Sequence, residues 1–309
     1  MNIVFFGSDD LAAFHLEKLI EADCRISACV TQPDRPKGRG LKMGISPVKI
    51  FAQKQDILLF QPENIKDEKL QTALKELKSD LFVVIAYGKI LPQSLLDIPF
   101  LCCINVHASL LPEYRGAAPI NWAIIKGEKK TGISIIRMNS VMDGGDIFFQ
   151  AQLPIDSEDT SATLRTKLMS LGASCLCENI HKIKQQLSQA IPQDDKKVSF
   201  APKMTKQLGH FSWDFSAAAI HNLVRGLVPW PSAYTYFSGK ILKILETELE
   251  DNISLQAHGE IIDINKDGFH VSTGKGVILI KKVHLESSKA MHARSFLAGH
   301  KIRVGDRFS

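Results

Sequence analysis

Hydrophobic and polar positions in this chain follow two rhythms, separated by a polar stretch at residues 188–207. In the first part, short apolar runs alternate with longer amphipathic stretches. Ile3–Phe6 predicts a strand ending in Gly7, and Asp9 or Asp10 is placed to cap a helix carrying Leu11, Phe14, Leu19 and Ile20. Ile26–Thr31 predicts a second strand. Leu81–Ala86 is a continuous apolar run, as in a strand covered on both faces. Cys102–Val106 and Ile133–Met138 predict further strands. Ser157-Glu158-Asp159-Thr160 then opens a long helix through Leu164, Leu168, Leu171, Leu176 and Ile180. This alternation predicts an α/β fold, a doubly wound (Rossmann-like) domain with a mostly parallel sheet.

Residues 190–207, with Pro192 and Pro202 as breakers, predict a linker. A short helix follows at Ser216–Arg225 and stops at Pro229-Trp230-Pro231. Strand-like runs come next at Ala233–Phe237, Ile241–Leu245, Gly259–Asn265, Phe269–Ser272 and Val277–Val283, with turns at Gly239, Asp267-Gly268 and Gly274. Short strands at this spacing predict a small β-barrel of the OB-like kind. The expected division is a catalytic domain at 1–189, a linker at 190–207 and a barrel at 208–309.

The 309 residues are 45% hydrophobic and 23% charged, which suffices for a core without staples. No run approaches the ~18 apolar residues of a membrane span. The first residues lack the basic start of a leader, so a cytoplasmic protein is expected. The six cysteines form no CxxC pair and no Cys/His cluster, so neither a metal nor a thiol nucleophile is expected. Of the net charge of +5, fourteen Lys and Arg against ten Asp and Glu place +4 beyond residue 202, with seven of the ten histidines. A basic tail suits a polyanionic partner, although charge runs are often solvated faces.

Three segments carry candidate chemistry. Asn105 and His107 sit two apart at the end of a predicted strand, so their side chains share a face at the sheet edge where α/β folds bind ligands. An amide donor beside an imidazole can hold charge developing on a carbonyl oxygen. The alternative is a turn cap beside a hydrogen-bonded strand-end histidine. Met142-Asp143-Gly144-Gly145-Asp146 follows another strand and can bring a carboxylate to that histidine, favouring its charged form and fixing its tautomer. Read alone, it is also an ordinary glycine turn. The third segment, Thr31 to Gly40, runs on to Lys49. It sets Arg35, Lys37, Arg39, Lys42 and Lys49 against one acid, Asp34, and reads as a solvated loop or a cationic arm for phosphates. Gly7-Ser8 is not followed by GxGxxG, so no dinucleotide site is expected.

Several stretches together resemble the methionyl-tRNA formyltransferase family. They are Gln32-Pro33-Asp34-Arg35-Pro36 with Gly38-Arg39-Gly40, Ser46-Pro47-Val48-Lys49, Ala86-Tyr87-Gly88, Asn105 through Pro112, Arg115 through Ile120, Asp143 with Gly145-Asp146, Glu158-Asp159-Thr160, and Trp230-Pro231. The resemblance implies formyl transfer from 10-formyltetrahydrofolate, a cosubstrate, to the amino group of methionyl-initiator tRNA, with no metal. It implies Asn105, His107 and Asp143 as catalytic residues, and Ser109, Leu110, Leu111 and Pro112 as the folate-binding segment. Arg39 would approach the tRNA acceptor end, with Arg35, Lys37 and Lys42 beside it, and the barrel would bind tRNA. A monomer is expected. The chain departs from the family at Ser8-Asp9-Asp10, where Thr-Pro-Asp is common, and at Gly144, where Thr is common. The alternatives are a formyltransferase for a sugar nucleotide or for glycinamide ribonucleotide, and a noncatalytic RNA-binding protein.

Overall fold

The computed structural model describes residues 1–37, 42–250 and 254–308. The chain divides into two compact units. One holds Met1–Gly116, Thr131–Leu153 and Thr166–Phe200; the other holds Ala117–Lys130, Pro154–Arg165 and Ala201–Ser309.

The first unit is built on β1 (Asn2–Gly7), β2 (Arg25–Val30), β3 (Arg35–Lys37), β4 (Lys42–Gly44), β5 (Leu59–Phe60), β6 (Leu81–Ile85), β7 (Cys102–His107), β8 (Lys130–Arg137) and β9 (Ile147–Pro154). The main sheet has the order β5-β2-β1-β6-β7-β8-β9, and β3 pairs with β4 apart from it. The pairs β5–β2, β2–β1, β1–β6 and β6–β7 are parallel, whereas β7–β8 is antiparallel. Ile3–Phe6 and Leu81–Ile85 are buried throughout, which is why these strands show no alternation in sequence. Strand order reverses between β1 and β6, which opens the crevice at their carboxyl ends that such sheets use for ligands.

The turn after β1 shows how the Ser8-Asp9-Asp10 departure is accommodated. Asp9 caps the helix Asp10–Glu21 by accepting from the Ala12 N–H at 3.0 Å. The Ser8 hydroxyl accepts from the Gln32 N–H at 3.2 Å, and the Ser8 carbonyl accepts from Ser46 Oγ at 2.9 Å. Thr31 and Ser46 hydroxyls close this network at 2.6 Å. The long helix runs from Ser161 to Asn179 and buries Leu164, Leu168 and Leu176. Burial raises the Cys29 thiol to about 12 and the Cys102 thiol to about 11, which keeps both protonated at neutral pH.

The second unit contains β10 (Ala233–Phe237), β11 (Lys240–Glu250), β12 (Ile261–Ile264), β13 (Phe269–Ser272), β14 (Val277–Leu285) and β15 (Met291–His292). They form an antiparallel sheet of order β10-β11-β14-β13-β12, with β15 on β14. Ile244, Phe269, Ile278, Ile280, Phe296, Trp213 and Phe308 share its core. The helix Ala217–Leu227, capped by Ser216, adds Ile220, Val224 and Leu227. No helix among the described residues is long and apolar enough to cross a membrane.

Candidate active site

Two site residues leave the sheet at the end of β7. Asn105 lies opposite Ile136 of β8, and His107 opposite Ser134. The pleat turns both side chains to one face. Asp143 comes from the β8–β9 loop and holds a left-handed backbone with φ 51°. Its carboxylate Oδ2 accepts from the Gly116 N–H at 2.9 Å and lies 3.6 Å from His107 Nδ1. Its Oδ1 lies 3.5 Å from Asn105 Nδ2. The structure therefore brings the three sequence-predicted residues together.

His107 is buried, and its Nε2 is 3.0 Å from the carbonyl oxygen of Tyr114. That oxygen only accepts, so Nε2 carries a hydrogen and Nδ1 of the neutral ring bears the lone pair. The lone pair faces Asp143 across a gap longer than a direct hydrogen bond. A proton arriving at Nδ1 would have the carboxylate beside it. The Asn105 amide is only loosely engaged at 3.5 Å, which leaves its N–H donors available to an incoming oxygen.

Ser109–Pro112 follows β7 directly. Ser109 Oγ donates to the Glu113 carbonyl at 2.6 Å, and the Ser109 carbonyl accepts from Ser134 Oγ at 2.7 Å. The Leu111 N–H donates to Ser134 Oγ at 3.0 Å, and Gln150 Nε2 donates to the Leu111 carbonyl at 2.9 Å. The Leu111–Pro112 peptide is cis. Ser109 and Leu111 are buried, whereas Leu110 and Pro112 are half-buried.

Several supporting residues escaped the sequence reading. Gln193, from the segment read as a linker, donates from Nε2 to the Asp143 and Gly145 carbonyls, both at 2.7 Å. Its Oε1 accepts from Arg115 Nη2 at 2.7 Å and Nε at 3.0 Å. Ser199 Oγ accepts from the Tyr114 N–H, and the Ser199 carbonyl from the Arg115 N–H, both at 2.9 Å. Ser134 did leave a signal, a serine inside the run Ile133-Ser134-Ile135-Ile136. Gln193 left none, because it follows Pro192 in a run of polar residues.

The cationic segment lies elsewhere in the first unit. β3 and β4 pair Arg35 with Gly44, Pro36 with Met43 and Lys37 with Lys42. Arg35 is exposed, 3.6 Å from Glu63. Lys49 Nζ pairs with Asp34, and Gln61 Nε2 donates to Asp34 Oδ1 at 3.0 Å. Lys49 and then Gln61 hold the Asp34 carboxyl below the usual carboxylate range. Lys49 is thus a structural cation. Arg39 lies outside the described residues, as do the side chains of Lys37 and Lys42.

An α/β sheet with an amide, an imidazole and a carboxylate gathered at one strand end is the framework of an acyl-transfer enzyme. The formyl transferase family matches residues 1–180, and its C-terminal domain matches residues 203–301. A methionyl-tRNA formyltransferase of Acetivibrio thermocellus is 44% identical over 99% of this chain and 99% of its own. The chain belongs to the methionyl-tRNA formyltransferase family. Two solved structures share the fold. WlaRD, a sugar 3N-formyl transferase solved with dTDP and 5-N-formyl-THF, has a TM-score of 0.67 at 19% identity, covering 94% of this chain and 99% of that one. HypX from Aquifex aeolicus, in complex with tetrahydrofolic acid, has a TM-score of 0.64 at 16% identity over 96% of this chain. This chain spans about half (46%) of the HypX chain.

Proposed function

We propose that this protein transfers the formyl group of 10-formyltetrahydrofolate to the α-amino group of methionyl-initiator tRNA, and that Asn105, His107 and Asp143 carry the chemistry. The observation that carries this reading is the convergence of the three side chains at the end of β7. The folate supplies a formyl group activated on nitrogen. The residues suit such a donor, because the loosely held Asn105 amide can point an N–H at the formyl oxygen as negative charge grows there. His107 Nδ1 takes up a proton next to Asp143 and returns it to the departing folate nitrogen. Net transfer moves one proton from the attacking amine to that nitrogen. Asp143 holds the ring and stabilises the charge it gains. The carboxylate lies 3.6 Å from Nδ1, close enough to stabilise a positive charge there without a direct hydrogen bond. In the folate segment, Leu110 and Pro112 offer surface, while buried Ser109 and Leu111 shape the turn from behind.

The reading assigns catalysis to residues 1–189 and tRNA binding to 208–309, joined by a linker at 190–207 that also braces the site through Gln193 and Ser199. Arg35, Lys37, Arg39 and Lys42 bind phosphates of the acceptor end. The protein acts as a monomer in the cytoplasm. The test is incubation with formyl-labelled folate and, separately, methionyl-initiator tRNA, a deacylated tRNA and amino-sugar nucleotides. Label appearing on the methionyl amine alone is the expected result; label on the sugar amine would overturn the substrate assignment.

A further inference from the structure

Asp143 is a non-glycine residue with a left-handed backbone, φ 51°, a conformation that persists where neighbours hold it in place. Gln193 supplies that constraint. Both hydrogens of its amide are given to the loop, one to the Asp143 carbonyl and one to the Gly145 carbonyl, at 2.7 Å each. Only a carboxamide in this orientation presents two N–H bonds on one side and an acceptor on the other. The acceptor is fixed by two donors of the buried Arg115 guanidinium. Arg115 is in turn anchored through its backbone N–H to the Ser199 carbonyl. The next residue, Gly116, donates its N–H to the Asp143 carboxylate. Gln193 thus closes a ring of hydrogen bonds that runs Asp143 carbonyl, Gln193, Arg115, Gly116 and back to the Asp143 carboxylate.

We propose that Gln193 is a positioning residue for the formyl transfer, holding the Asp143 carboxylate toward His107 through the Asp143 and Gly145 carbonyls. It rests on Asp143 serving the reaction as assigned above. Gln193 needs no contact with either substrate. Its loss lets the loop rotate and leaves the substrate surfaces in place, so the effect falls on kcat and spares KM.

The test is a double-mutant cycle on the full chain, with methionyl-tRNA and 10-formyltetrahydrofolate. Gln193→Ala is expected to lower kcat by about 10–100-fold with both KM values changed less than about threefold. Gln193→Glu is the second variant and keeps the side chain's size. It retains an acceptor for Arg115 but loses both N–H donors and sets a carboxylate oxygen against two carbonyls. A similar fall in kcat is expected, with a thermal midpoint closer to wild type than that of Gln193→Ala. In an Asp143→Ala background, neither change at Gln193 is expected to lower kcat further, because the group being positioned is gone. Multiplicative losses in the double variants would overturn the proposal, as would wild-type kcat in Gln193→Glu. If Asp143→Ala alone left kcat intact, the role of Asp143 itself would be at fault, an outcome distinct from either of these.

Discussion

The loop Met142–Asp146 and the loop Asp34–Gly44 look alike in sequence, because each follows a strand and mixes glycines with charged residues. In the structure they part company. The Asp143 loop is tied by Gln193 and by the Gly116 N–H, and its charge points inward at a buried histidine. In the cationic loop, the one acid is already engaged by Lys49 and Gln61, while Arg35 extends into solvent near Glu63. A charge enclosed by internal donors is committed to one geometry, which suits chemistry that loses rate with small displacements. An exposed cation such as Arg35 keeps its charge at the surface, where it can meet a polyanion.

The largest effect is expected at the committed site. Asn105→Ala and His107→Ala should each lower kcat by about 10²–10³-fold in steady-state formylation, while circular dichroism and melting stay near wild type. Equal losses in kcat and in folded fraction would reduce both residues to structural parts. Next comes the backbone of the same loop. A Cβ at Gly145 would fall on the Arg137 carbonyl oxygen, so Gly145→Ala should cost about 1–3 kcal/mol in denaturant unfolding and displace Asp143. Gly144 is one residue away, where a Cβ meets Val141 Cγ1 at 2.6 Å, Val141 Cβ at 3.0 Å and Arg115 Nη1 at 3.4 Å, so the exposed Val141 has to shift to admit it. Gly144→Thr, the residue common in the family, should therefore cost less than Gly145→Ala, on the order of 1 kcal/mol while exposed Val141 moves aside, and keep kcat.

The cationic loop should respond differently. Arg39→Ala is expected to weaken kcat/KM for tRNA while sparing folate binding, and to flatten the log–log salt dependence by roughly 0.7–0.9. Unchanged salt slope and efficiency would make the loop a solvated face. The smallest effect concerns His221, a histidine in a purely structural setting. Its Nδ1 meets Thr247 Oγ1 at 2.9 Å, and burial pushes its pKa below the ordinary 6.5. Below that pH the unfolded chain takes up a proton that the folded chain resists, so stability falls as pH drops through about 6.5. His221→Gln should flatten the change in thermal midpoint between about pH 7 and about pH 5 without altering kcat.

The parallel strands were legible because residues such as Val4, Phe5, Phe82 and Val83 are buried on both faces and leave unbroken apolar runs. β11 was legible only to Leu245. Beyond it Glu246, Glu248 and Glu250 alternate with Thr247 and Leu249, and the charged positions are balanced across strands, as by Lys281 on Glu248 at 3.0 Å. β9 went unread because one face is exposed and carries Gln150 and Gln152. Asn105 and His107 could be paired from the two-residue period alone. Asp143 needed its loop to fold back, and Gln193 reaches it across 50 positions of chain, a closure with no local signature.

The most direct test is a single-turnover measurement of formyl transfer to methionyl-initiator tRNA by wild type and Asp143→Ala, with both substrates saturating and folate and tRNA affinities measured separately. The expected result is a transfer rate reduced by about 10²-fold or more with both affinities retained. A near-wild-type rate would contradict the assignment of the Asn105, His107 and Asp143 cluster as the reaction centre.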